Sequence, residues 1–85
     1  MNSKFSNLQR SLQPMLSDIK QALTQHGLMD AYQSRPAYQQ NDYLGWIARA
    51  KRPHTRDKRL RQMLAELEQG GIYMNMPHLP SKKQV

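Results

Sequence analysis

The sequence predicts an all-α fold: a small compact bundle of three or four helices with a disordered C-terminal tail. Three observations carry this expectation. Apolar residues recur at i, i+3, i+4 and i+7 in successive stretches, the spacing of one buried helical stripe. Val and Ile together number only four, and no segment alternates apolar and polar residues as a half-buried strand does. The chain has 85 residues and no cysteine, so a single modest core must hold it without disulfides or thiolate-bound zinc.

Taken in order, residues 1–13 read as a partly ordered N-terminal arm, 14–71 as the helical domain and 72–85 as an extended or disordered tail. In "LSDIKQALTQHG", Leu16, Ile19, Ala22 and Leu23 share a face, Ser17 can cap the start, and Gly27 can close the end in a left-handed conformation. "LMDAYQSRP" predicts a short turn of helix ending before Pro36, because the residue preceding proline is pushed out of the helical region. Met29 and Tyr32 would share its inner side.

The next helix includes "NDYLGWIARAK", with Tyr43, Trp46, Ile47 and Ala50 as its stripe and Arg49 and Arg52 pointing away. Gly45 within it either costs about 1 kcal/mol relative to alanine or permits a close approach. The last helix follows Pro53 and carries Leu60, Met63, Leu64 and Leu67 before Gly70 and Gly71 end it. Either Thr55 caps it or Pro53 occupies its first turn. Residues Ile72 to Met76 form an extended piece able to tuck onto the bundle.

Net charge is 13 minus 6, or +7, with a pI near 10.2, so an anionic partner merits weight. Arg49, Lys51, Arg52, Arg56, Lys58, Arg59 and Arg61, less Asp57, supply +6 of it within one short stretch. These side chains do not form a single stripe. With Leu60 at 0° and about 100° per residue, Arg61 falls near 100°, Lys58 near 160° and Arg59 near 260°, whereas Arg56 falls near 320° over the apolar edge. From there Arg56 can reach the unpaired carbonyls around Ala50 to Arg52, and Asp57 can pair with Arg61. Arg49, Arg52, Lys58, Arg59 and Arg61 are the candidate anion or partner surface.

Several function classes lose support. His26, His54 and His78 lack ligand spacing, no serine sits in a strand-turn-helix elbow, and no glycine-rich phosphate loop exists, so neither enzyme, metal nor cofactor is expected. No apolar run approaches the ~20 residues of a membrane span, and the N-terminus lacks the apolar core of a signal peptide, which makes the cytoplasm the expected location. Met15, Met29 and Met63 fall at core spacings, so the methionines read first as core, and only "YMNMP" at 73–77 stays a candidate for an exposed contact segment.

The stretch "WIARAKRPHTRDKR" resembles the YdeI/OmpD-associated, or bacteriocin-protection, domain family. The resemblance is carried by Trp46, Ile47, Ala50, Lys51, Thr55, Arg56 and Arg59. Upstream it takes in "DIKQAL", Tyr32, Pro36, Tyr43 and Leu44, and downstream "LAELEQGG", about residues 14 to 71 in all. Departures from the family pattern fall at Arg35, Tyr38 and Gly45. The resemblance implies an all-helical module without catalytic residues, connected with an outer-membrane porin and with protection from bacteriocins or cationic peptides. The expected function is that of a binding or adaptor module whose partner is another protein. The runner-up is a nucleic-acid-binding protein using the basic surface of residues 49–61.

Overall fold

A computed structural model of the chain describes residues 12–78 and Pro80. Most of the N-terminal arm and residues 81–85 of the tail lie outside the described residues. Among the described residues four helices follow in order: α1 (Ser17–Gln25), α2 (Met29–Ser34), α3 (Ala37–Ala48) and α4 (Pro53–Gln69). A hairpin of two short strands, β1 (Ile72–Tyr73) and β2 (Met76–Pro77), closes the fold.

Helix α1 buries Ile19 and Leu23 completely. Its start is not capped by Ser17; Leu16 occupies the N-cap position without a side-chain bond, and its carbonyl accepts the Lys20 amide at 3.0 Å. Its end is closed as expected by Gly27 at φ +66°. The Leu28 amide reaches back to the Leu23 carbonyl at 2.8 Å and the Gly27 amide to Thr24 at 3.1 Å, the paired bonds of a Schellman motif. Leu23 and Leu28 both join the core, which sets the angle at which α2 leaves. Arg35 then adopts an extended conformation (ψ 152°), the conformation favoured before a proline, and ends α2.

Helix α3 starts right after Pro36 and ends at Ala48, so Ala50 lies beyond it. Its buried stripe is Gln39, Tyr43, Leu44 and Ile47. Trp46 is only half-buried, at the edge of the core rather than within it. Gly45 is buried because the segment before α1 crosses here. A Cβ at this position would stand 3.1 Å from Gln13 Cγ and 2.9 Å from an Arg49 nitrogen. The Gln13 amide donates to Asn41 Oδ1 at 2.7 Å on the same helix, so the glycine serves a close approach.

Helix α4 begins with Pro53 in its first turn and Arg52 as N-cap, with no side-chain cap; Thr55 does not serve as one. Met63 and Leu67 are fully buried with Glu66 between them, while Leu60 and Leu64 are only partly covered. The buried face is therefore centred near 290° on the wheel that puts Leu60 at 0°. Gly70 and Gly71, at φ +72° and +74°, turn the chain back. The extended piece expected from Ile72 to Met76 does tuck onto the bundle, as a hairpin in which Ile72 pairs with Pro77 and Tyr73 with Met76 antiparallel. Its two loop residues, Met74 and Asn75, both have positive φ (50° and 65°), the requirement of a type I′ turn.

Candidate functional site

The basic stretch divides into engaged and unengaged cations. Arg56 does not reach the end of α3. It forms a two-pronged pair with Asp18 of α1, Nη1 to Oδ2 at 2.6 Å and Nη2 to Oδ1 at 3.2 Å. The bond from Arg56 holds the Asp18 carboxyl below its usual range, and the carboxylate raises the guanidinium in turn.

The bond to α3 falls instead to Arg59, whose Nη1 donates to the Trp46 carbonyl at 2.7 Å. Its guanidinium carbon stands 5.3 Å from the centre of the Trp46 ring, a cation–π contact. The reason is rotational: with the buried face near 290°, Arg59 at about 260° points toward α3. Arg61 pairs with Asp57 one turn earlier in an exposed contact.

That leaves Arg49, Lys51, Arg52 and Lys58. All four are exposed, and among the described residues none meets an acid. Arg49, Lys51 and Arg52 lie in the α3–α4 connection and Lys58 in the second turn of α4, whose first turn holds no acidic side chain. The positive end of the α4 dipole therefore adds to the cations instead of being neutralised. The signature residues frame this junction from within. Ile47 is buried, Ala50 and Thr55 are half-buried, and Lys51 is exposed.

A second polar assembly, unforeseen in the sequence, lies inside the protein under the hairpin. Glu66 is 4% exposed, and its carboxylate accepts two bonds on each oxygen. Oε1 takes the Tyr43 hydroxyl and the Met74 amide at 2.8 Å. Oε2 takes Gln62 Nε2 at 3.0 Å and the Asn75 amide at 2.9 Å. The hairpin turn thus docks by presenting its two amides to a buried anion. Burial and the adjoining Glu66 carboxylate push the Tyr43 phenol well above its ordinary range, so it stays a donor.

Arg35, also 4% exposed, donates to Gln39 Oε1 at 3.2 Å and to the Glu66 backbone carbonyl at 3.1 Å. Tyr73 packs edge-on against Tyr43 and Tyr38, at 5.4 and 6.0 Å between ring centres, and donates to Asp42 at 2.6 Å. The "YMNMP" segment is thereby clasped to the bundle at Tyr73, Met74 and Asn75, although Met76 remains 55% exposed. The signal for this assembly was Arg35 itself, a cation at one of the departures from the resembled family's pattern.

The geometry defines a class of protein: among the described residues, a module of four helices with a polar-clasped hairpin, exposed cations about the α3–α4 connection, and no helix long and apolar enough to cross a membrane. The profile of the bacteriocin-protection, YdeI or OmpD-associated family matches residues 15–70, and the chain belongs to that family. Comparison with curated proteins and with solved structures returns no match.

Proposed function

We propose that the chain is a non-enzymatic cytoplasmic binding module that works in bacteriocin protection by meeting an acidic surface of another protein. The observation that carries this reading is the four-cation corner of Arg49, Lys51, Arg52 and Lys58 at an uncapped helix start, while the neighbouring Arg56, Arg59 and Arg61 are already engaged. Four unengaged cations around a positive helix end attract carboxylates, and their exposure lets a partner bind without first breaking an internal pair. Family membership supports the protective role.

The test is bacteriocin survival of cells carrying the wild-type chain or a variant with all four cations changed to serine. Loss of protection with unchanged melting of the purified variant supports the reading; equal protection by both proteins defeats it. Nucleic acid is the competing occupant, and four contacts predict a log–log salt slope of about −3.6 on duplex DNA. Measured binding with that slope, lost in the serine variant, would transfer the corner to the nucleic-acid reading.

A further inference from the structure

The hairpin is fastened to the bundle at Glu66 and Asp42. Its turn amides, Met74 and Asn75, donate to the two oxygens of the Glu66 carboxylate at 2.8 and 2.9 Å, and the Tyr73 hydroxyl donates to Asp42 at 2.6 Å. All three bonds end on carboxylates. The pairing inside the hairpin needs neither acid: Ile72 faces Pro77, Tyr73 faces Met76, and the His78 amide closes the base on the Gly71 carbonyl at 2.8 Å. The apolar set of Ile19, Leu23, Ile47 and Met63 is equally independent of them.

The surroundings of Glu66 leave no place for a proton. Tyr43, Gln62, Met74 and Asn75 all present donors to it, and of these only the Tyr43 hydroxyl can turn round and accept. Elsewhere the added proton competes with a turn amide for the same oxygen. A second cost comes from Arg35, at the α2–α3 connection. Among the described residues Arg35 and Glu66 are the two buried charges, each 4% exposed, and both bear on the Tyr43 phenol with opposite sign. Neutralising Glu66 leaves the guanidinium buried without a counter-charge, a strongly unfavourable state.

We infer that the hairpin is an acid-released latch: protonation of Glu66 frees residues 72–77 from the bundle while the helices stay packed. Lifting the hairpin returns both the carboxyl and the guanidinium to water, which removes both costs. The sign follows, since the closed form is favoured by the ionised carboxylate and opening grows as pH falls. What the latch uncovers is aromatic: Tyr73 leaves the edge-on contacts it makes with Tyr43 and Tyr38. The other titratable groups facing the assembly are Tyr38, Asp42 and Tyr43 on α3, and Tyr73 and His78 on the hairpin side. Asp42 and His78 are the two of these that can gain a proton in acid.

Amide hydrogen–deuterium exchange, followed by NMR between about pH 7 and about pH 3 to span the ordinary carboxylate titrations, tests the latch on the wild type, Asp42→Asn and His78→Gln. Expected is a drop of about tenfold or more in the protection of the Met74 and Asn75 amides relative to those of Leu23 and Met63, since one coupled proton shifts an equilibrium by up to about tenfold per pH unit. Both variants should keep the drop. Hairpin amides that follow the helices at every pH overturn the proposal, and so does a response abolished in either variant, which would place the trigger at Asp42 or His78. Glu66→Gln should expose the two turn amides already at pH 7, and a folded Glu66→Gln that protects them as the wild type does is equally fatal. If that variant does not fold, the wild-type titration decides.

Discussion

The interior has two halves built on opposite principles, and they meet along α4. On one side Ile19, Leu23, Leu28, Ile47, Met63 and Leu67 pack as an apolar core. On the other, Arg35, Gln39, Tyr43 and Glu66 are as deeply buried but are joined by hydrogen bonds. The apolar half gains from every contact and tolerates a lost methylene by partial collapse. The polar half depends on complete pairing, because a buried donor or acceptor stripped of its partner carries the full cost of its lost hydration.

That contrast is broken most severely at Glu66. Glu66→Ala removes the acceptor for four donors, and urea denaturation should show a loss of about 3–5 kcal/mol. A loss below about 1 kcal/mol would mean that water replaces the carboxylate and that the polar half is not dry. Met63→Ala, the corresponding deletion in the apolar half, should cost about 2–4 kcal/mol, with the hairpin still folded. Tyr43→Phe keeps the ring stack and removes one of the two bonds to Oε1, an expected loss of about 1–3 kcal/mol by thermal melting.

Two further substitutions lie outside both halves. Trp46→Ala should cost about 2–3 kcal/mol, less than for a fully buried indole, because the ring is half-buried. Arg56→Ala should lose only about 0.2–1 kcal/mol, since its pair with Asp18 faces solvent. The sign of its pH dependence follows from the lowered Asp18 value. The contribution is full above the ordinary carboxylate pKa of 3.8 and disappears as pH falls through the folded-state value below it. Wild-type and Arg56→Ala stabilities measured from pH 7 down to pH 2 should therefore converge at the acid end.

The apolar half was legible in the sequence. Leucines, isoleucines and methionines at helical spacing announce a buried stripe, and the Gly27 and Gly70–Gly71 stops follow from residues that accept positive φ. The polar half was not, because periodicity treats Gln39 and Glu66 as solvent-facing residues, and only the tertiary structure supplies the donors that let them be buried. The same bias moved the expected face of α4. Leu60 and Leu64 pulled it outward, whereas Glu66 joins Met63 and Leu67 in the true buried set.

This is why Arg59, and not Arg56, reaches Trp46. The hairpin escaped for a related reason. Type I′ turns are normally announced by Asn-Gly, and Met74–Asn75 adopts one where the Glu66 carboxylate receives both amides. In the candidate site, the exposed positions of Arg49, Arg52 and Lys58 followed from the helical wheel. Which arginines were already engaged depended on Asp18 and Trp46, residues distant in sequence.

The Glu66 clasp also bears on where the module can be cut. The family profile stops at residue 70, yet two of the four groups that satisfy Glu66 come from Met74 and Asn75. Excision at the profile boundary would leave half of a buried anion's shell to solvent, so the smallest autonomous unit extends through the second hairpin strand at Pro77.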